Sequence, residues 1–424
     1  MVLEELQKKG SIEQVSDPNL GKLLSKKTAP LSFYVGFDPT ASSLHLGNLV
    51  SIVLAKALQK AGHKPHILIG GATARVGDPS GKLVEREKIQ EEIVEKNTAD
   101  ICTFLTSIFP QTTDENSAVI LNNYDWLSGM TVIEFLRDTG RYFRLGKMLS
   151  RESVKRRVQS EEGMSFCEFT YPVLQGFDFF HLFLQYGVTL QIGGSDQWGN
   201  MVSGIELIRR KTGKEAYAMT SPLLTKSNGE KLGKTVSGAL WLSEERTSPY
   251  AFYQYLVNVA DADVITLLKR LTLLPSEEID ALEKSMQSSS YQPNTAQNIL
   301  AQEVTLFVHG EKGLKKAEEV THAAKPGAKA TLNKETLEAI AKDLPSVELS
   351  SVVSEKFSDI AVQSGLVASK SAAVRLVKNG GAYLNNERVQ DPFYVLEAKD
   401  VISGTFVLLS SGKKNRLLIR LKSS

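Results

Sequence analysis

The stretch MSFCEFTYPVLQGFDFFHLFLQYG is apolar at nearly every position from Val173 to Leu184, yet it carries Asp178 in its middle. A helix of this composition is greasy on almost all faces and therefore buried. A buried carboxylate is costly unless donors surround it. Tyr171, Gln175 and Asp178 fall at i, i+4 and i+7, which sets three polar groups on one stripe of that helix. Pro172 is expected as the first helical residue, with Tyr171 at the cap. Two readings stay open on this segment alone: a structural hydrogen-bond network in a core, or a pocket built for a small polar ligand.

The chain is long enough, at 424 residues, for two or three domains. Cys102 and Cys167 lie far apart with no CxxC or Cys/His cluster, which suggests neither a disulfide framework nor a zinc site. That usage fits a reducing compartment. No apolar run reaches membrane-spanning length, and the start MVLEELQKKGS has no signal-peptide core, so a cytoplasmic location is expected. The formal charge of +2 is close to neutral, so a nucleic-acid surface would be local.

SFYVGF, LGNLVSIVLAKALQKAG and HILIGG read as strand, helix and strand, with Gly62 stopping the helix. VTLQIGGSDQWGN repeats the pattern of an apolar strand running into a glycine turn and a helix. This alternation predicts an α/β domain with a parallel sheet. The basic segment RDTGRYFRLGKMLSRESVKRRVQS, within an insertion around 125–165, is expected to be helical, and residues 245–322 mostly helical. Residues 323–350 are rich in Ala, Lys, Pro and Gly and read as a loosely packed linker. Beyond them Ser369 is a helix cap, Gly380-Gly381 a stop, and Asn385-Asn386 a hairpin turn. Lys370, Arg375 and Lys378 share a broad arc of that helix, and residues 351–424 carry eleven Lys and Arg against six Asp and Glu. Such a basic module fits RNA binding, although a solvated face is the commoner origin of such charges.

No GxGxxG comes after the first strand, which speaks against a dinucleotide-binding dehydrogenase. GDPSGK fails as a P-loop, because Val76 and Leu83 occupy positions that need Gly and Ser or Thr. The first strand runs instead into GFDPTASSLHLGNL, where His45 and Asn48 bracket Gly47 at a helix start suited to anions. In TKSNGEKLGKT, Lys231 and Lys234 flank Gly233, with Thr235 beside them. Paired lysines on a loop can neutralise a polyphosphate, although exposed loop lysines are common.

Taken together, His45-Leu46-Gly47-Asn48 and Lys231-Leu232-Gly233-Lys234-Thr235 resemble the two signatures of class I aminoacyl-tRNA synthetases. YVGFDPTASSLHLGN, GDPSGK, FTYPVLQGFDF and QIGGSDQWGN resemble blocks of the tyrosyl-tRNA synthetase family of bacterial and organellar type, over essentially the whole chain. The resemblance implies a Rossmann-like catalytic domain over 1–240, a helical anticodon-binding domain over 241–322, a linker over 323–350, and a small α+β RNA-binding domain of the ribosomal S-four type over 351–424. It implies a homodimer that activates L-tyrosine with ATP, carried with Mg2+, to tyrosyl-adenylate and pyrophosphate, and then passes tyrosine to the 3′ end of tRNA(Tyr). No tightly bound cofactor or dedicated metal site is expected.

By the same resemblance Thr40, His45, Asn48, Lys231, Lys234 and Thr235 would meet the phosphates, and Lys82 and Arg86 the leaving pyrophosphate. Tyr34 and Asp178 would bond the phenolic hydroxyl. Asp78, Tyr171 and Gln175 would hold the ammonium, supported by Gln191. Gly36, Asp38, Gly47, Gly193, Asp196 and Gln197 would line the nucleotide and adenylate. Asn48 stands where the signature has a second histidine, and Leu232-Gly233 where it has Met-Ser. Rival readings are a small-molecule nucleotidyltransferase such as pantothenate synthetase, a tryptophanyl-tRNA synthetase, and an RNA-binding protein that has lost catalysis. The helical middle and basic tail oppose the first, the Tyr34–Asp178 pair the second, and His45 with both lysines the third.

Overall fold

Strands β1 (Gln14–Val15), β2 (Ser32–Phe37), β3 (Lys64–Ile69), β4 (Val119–Asn122), β5 (Val188–Gly194) and β6 (Tyr217–Ser221) form one sheet in the order β1-β6-β5-β2-β3-β4. All neighbours pair in parallel except β1, which runs antiparallel to β6 at the edge. The chain moves outward from β2 to β3 and β4, then returns to β5 on the other side of β2. This reversal makes the carboxyl ends of β2 and β5 the place where an open α/β sheet collects ligands. The structure is a computed structural model and describes every residue except 1, 26–29, 81–88, 231, 236–237, 324–326, 328–331, 342–343, 413–414 and 423–424.

Helix Leu46–Lys60 connects β2 to β3, and its buried side includes Leu46, Leu49, Ile52, Leu54 and Leu58. Ala61 caps it, and Gly62 at φ 97° turns the chain away as expected from the sequence. The greasy segment is one helix, Phe166–Tyr186, capped by Ser165, whose hydroxyl accepts from the Glu168 N–H. Pro172 is therefore inside the helix, not at its first position. The capping signal at Ser165 prevails, and proline interrupts a helix that its burial can hold together. The polar stripe survives this correction, because the register of Tyr171, Gln175 and Asp178 is unchanged. The helix packs on Trp198–Thr212, and a Cβ on Gly176 would come within 3.4 Å of the Gly204 amide. A Cβ on Gly204 would reach 2.7 Å from the Phe179 ring, so the absence of side chains sets this close crossing.

Contacts divide the chain into two compact units, residues 1–243 with 259–300, and residues 244–258 with 301–424. The mostly helical stretch 245–322 is thus shared between them, with Asp261–Leu271 and Ser276–Ser285 in the first unit. Within the first unit β7 (Lys234–Thr235) and β8 (Gly238–Ala239) form a small antiparallel pair. In the second unit β9 (Ser346–Leu349), β10 (Ala382–Leu384), β11 (Glu387–Arg388), β12 (Phe406–Ser411) and β13 (Asn415–Leu421) build a sheet ordered β11-β10-β12-β13-β9.

Part of the stretch expected to be a loose linker is ordered. Helix Lys334–Ala341 buries Leu337 and Ile340 in a core with Tyr250, Val320, Leu408 and Leu418, and β9 pairs in parallel with β13. The sparse apolar residues there are spaced for one buried helical face, which the Ala, Lys, Pro and Gly content masks. Helix Lys370–Lys378 is capped by the Ser369 hydroxyl and ends before Gly380 at φ 69°. Asn385 and Asn386, at φ 48° and 69°, make the expected hairpin turn between β10 and β11. Among the described residues no helix is long and apolar enough to cross a membrane, and Cys102 and Cys167 form no disulfide.

Candidate active site

A cavity of about 770 Å³ opens at the carboxyl ends of β2 and β5. Tyr34 on β2 and Gln191 on β5 are register partners across the switch point, and both line it. The Tyr34 ring lies 5.2 Å from that of Phe179 and is 1% exposed. Among the described residues its buried hydroxyl has no hydrogen-bond partner, and neither has the Oε1 of Gln191. Burial, and then the charge of Asp178, pushes the Tyr34 phenol well above its ordinary pKa. A buried hydroxyl without a partner is a loss that folding rarely tolerates unless something else supplies the bond.

Asp178, 2% exposed, has both oxygens engaged: Asn123 Nδ2 donates to one at 2.9 Å and Trp126 Nε1 to the other at 2.9 Å. Burial pushes its carboxyl up to about 7; those two donors oppose the rise and the Asp38 charge adds to it. Trp126 is held in turn by a stack on His181, with ring centroids 4.3 Å apart. Sequence reasoning alone misses Asn123 and Trp126. Their signal is NNYDW, directly after the apolar run AVIL, which places two amides at the carboxyl end of β4.

The neighbouring wall is a second network of carboxylates and amides. Tyr171 Oη donates to Asp38 at 2.7 Å, and Thr73 Oγ1 donates to the other Asp38 oxygen at 2.7 Å. Burial, with Asp38 next, raises the Tyr171 phenol well above its usual range. Asp78 accepts from Gln197 Nε2 at 2.7 Å and from the Ser80 N–H at 2.9 Å. Asn200, a further residue that sequence reasoning misses, donates to Gln175 at 3.0 Å and faces Asp78 at 3.5 Å. Asp38, expected on the nucleotide side, thus joins the stripe residue Tyr171. Among the described residues the lining carries Asp38, Asp78, Asp178 and Asp196 but no Lys or Arg. Such a wall favours a ligand bearing an ammonium group.

The mouth is built differently. His45 caps helix Leu46–Lys60, and its backbone N–H donates to Asn48 Oδ1 at 3.0 Å, leaving the amide nitrogen of Asn48 as a donor. Gly36, His45, Gly47 and Asp196 are exposed there, whereas Gly193 is buried at the end of β5. Thr40 and Gln197 are partly exposed and also line the cavity. Leu46 N–H donates to the Leu240 carbonyl at 2.9 Å and Leu242 N–H to the Leu44 carbonyl at 2.8 Å. These bonds stitch the chain just after the lysine loop to the His45 tetrad. Gly233, at φ 84°, packs so close that a Cβ would lie 3.2 Å from Leu46.

Lys82, Arg86 and Lys231 lie outside the described residues. For Lys234 and Thr235 the backbone, in β7, is described and the side chains are not. On helix Lys370–Lys378 in the second unit, Lys370, Arg375 and Lys378 are all exposed, and Lys370 pairs with Asp359 at 2.6 Å.

The family of tRNA synthetases class I (W and Y) matches residues 26–324. The chain belongs to that family. As a class I tRNA synthetase it also carries a match to the tyrosine–tRNA ligase SYY-like C-terminal domain over residues 336–419. It is 47% identical to a tyrosine–tRNA ligase of Protochlamydia amoebophila over 99% of each chain. It is 48% identical to the chloroplastic/mitochondrial tyrosine–tRNA ligase of Arabidopsis thaliana, over 99% of this chain and 83% of that one. Among solved structures, a C-terminally truncated mitochondrial tyrosyl-tRNA synthetase of Aspergillus nidulans superposes with a TM-score of 0.67 at 31% identity. That match covers 75% of this synthetase and 92% of the fungal chain.

Proposed function

We infer that this class I synthetase is a tyrosine–tRNA ligase. It activates L-tyrosine with ATP and transfers the aminoacyl group to the 3′ end of tRNA(Tyr). One observation carries the reading: the buried Tyr34 hydroxyl, without a partner among the described residues, sits in the same pocket wall as Asp178. A phenol entering there supplies the missing bond, and an apolar side chain leaves it unmade.

In the first step a carboxylate oxygen of tyrosine attacks the α-phosphorus of ATP, and the bond to the bridging oxygen breaks to release pyrophosphate. In the second, a ribose hydroxyl at the tRNA 3′ end attacks the adenylate carbonyl and AMP leaves. No residue need form a covalent bond, so the protein works by positioning and by charge stabilisation that grows in the transition state. Tyr34 and Asp178 fix the phenol. Asp78, Tyr171 and Gln175 hold the ammonium, with Asp38 and Asn200 orienting them and Gln191 in support. Asp196, Gln197, Gly36, Gly47 and Gly193 shape the nucleotide side. Thr40, His45, Asn48, Lys82, Arg86, Lys231, Lys234 and Thr235 meet the phosphates and the leaving pyrophosphate. Magnesium enters with ATP as part of the substrate.

The basic face of Lys370, Arg375 and Lys378 contacts tRNA phosphates. The enzyme acts as a homodimer, supported by exposed apolar side chains at Val132, Ile133, Leu136, Leu145 and Phe166. Two cysteines that form no disulfide support a reducing compartment, the cytoplasm. Charging of a tRNA(Tyr) transcript by the purified protein tests the reading. Tyrosine attached to the transcript supports it, and no charging with tyrosine alongside charging with another amino acid would overturn it.

A further inference from the structure

We propose that Asp263, which lies outside the cavity lining, is a positioning residue for the lysine loop. It sits in the first turn of helix Asp261–Leu271 and is 8% exposed. Its Oδ1 accepts the backbone N–H of Ser227 at 2.7 Å, across 36 residues of chain. Ser227 lies in a tight turn closed by Gly229 N–H to the Lys226 carbonyl, 2.9 Å, and Lys226 N–H to the Glu230 carbonyl, 2.7 Å. That turn leads directly into Lys231.

The two limbs of the loop are anchored by different partners. The exit limb is tied to the His45 tetrad, through Leu240 N–H to the Gly233 carbonyl at 2.7 Å and Leu46 N–H to the Leu240 carbonyl at 2.9 Å. The entry limb is tied to Asp263. In chain order, positions 231 and 234 therefore come between an anchor on helix Asp261–Leu271 and an anchor on helix Leu46–Lys60. The first anchor is itself held. Gln297, 1% exposed, donates to Asp261 Oδ1 at 2.6 Å and to the Val259 carbonyl at 3.3 Å.

A carboxylate at the third position of a helix helps that helix through its dipole alone, with no need of a loop partner. The bond to Ser227 adds a charge-assisted contact, stronger than a neutral one and directed at a single amide. Without it the entry limb keeps the bond from the Leu232 N–H to the Leu224 carbonyl, 3.1 Å, but loses its tie to helix Asp261–Leu271, and the lysines reach the phosphates less often. The tyrosine end of the cavity is closed by other elements and stays as it is. This inference rests on the ligase reading.

Tyrosine-dependent pyrophosphate–ATP exchange by the full chain, with Asp263→Ala and Asp263→Asn, separates loop positioning from helix stabilisation. Asp263→Ala should lower the saturated exchange rate about tenfold, the worth of one hydrogen bond to a charged group, with the tyrosine KM within about twofold. Asp263→Asn keeps an acceptor oxygen and should recover most of the rate. Trypsin should cut after Lys226 faster in the alanine variant and at the wild-type rate in the asparagine variant. An unchanged exchange rate in Asp263→Ala, or an asparagine variant as slow as alanine, would overturn the proposal. A wild-type enzyme inert with tyrosine would strike the ligase reading instead, and the trypsin pattern would still test the anchor.

Discussion

The two ends of the cavity solve opposite problems. At the closed end Tyr34 and Asp178 are almost fully buried, and each Asp178 oxygen is already held by a neighbour. At the mouth Gly36, His45, Gly47 and Asp196 are exposed, and the groups placed there are a helix start and a loop. Burial makes the closed end discriminating, because a buried polar group left without a bond is costly. In the function proposed above, openness makes the mouth adaptable, because charge that develops on phosphate must be met after ATP has entered. Selectivity and rate are therefore separable by mutation.

The largest expected effect is at the closed end. Asp178→Ala strips acceptors from Asn123, Trp126 and the incoming phenol, and should cut tyrosine activation by about a thousandfold, or ~4 kcal/mol, in the exchange assay. Near-normal tyrosine affinity in that variant would break the contrast between the ends. Lys234→Ala comes next. It should slow adenylate formation about a hundredfold while tyrosine KM stays put; equal losses in both would place the lysine in ground-state binding.

A smaller effect stems from the raised Asp178 carboxyl. Its folded pKa of about 7 lies above the usual carboxylate value, so the free enzyme gains stability from this group at low pH. That gain is lost as pH rises through about 7. Ionised Asp178 is the better acceptor for a phenol, so tyrosine affinity should fall about tenfold from pH 8 to pH 6. Calorimetric titration of tyrosine across that range measures it, and Asp178→Asn should flatten the profile. The smallest effect belongs to the second unit. Replacing Lys370, Arg375 and Lys378 by alanine should raise the tRNA KM several-fold and lower the salt slope of binding by about two to three. Lys370 should contribute least, because Asp359 already neutralises it. A slope that does not change would remove the helix from the RNA surface.

Much of this contrast is legible in the chain itself, and the gaps have physical causes. The polar stripe Tyr171, Gln175 and Asp178 is a matter of helical periodicity, so it can be read without knowing what faces it. Its partners cannot. Asn123, Trp126 and Asn200 come from other elements, and only the sheet order and the helix crossing bring them within 3 to 3.5 Å of the stripe and its neighbour Asp78. The hairpin at Asn385-Asn386 and the cap at Ser369 are local, and turn and capping chemistry suffices to predict them. Pro172 misleads because its preference for a helix start yields to a stronger start at Ser165. The stretch before residue 350 misleads for a different reason. Its strand β9 is stabilised by pairing with β13, about seventy residues further on, and nothing local announces that.

The closed end is tested most directly by comparing tyrosine with phenylalanine in pyrophosphate–ATP exchange by the wild-type enzyme. Exchange should run with tyrosine and be negligible with phenylalanine at the same concentration, because phenylalanine leaves the Tyr34 hydroxyl without its bond. Comparable exchange with both amino acids would contradict the assignment of Tyr34 and Asp178 as the phenol-reading pair.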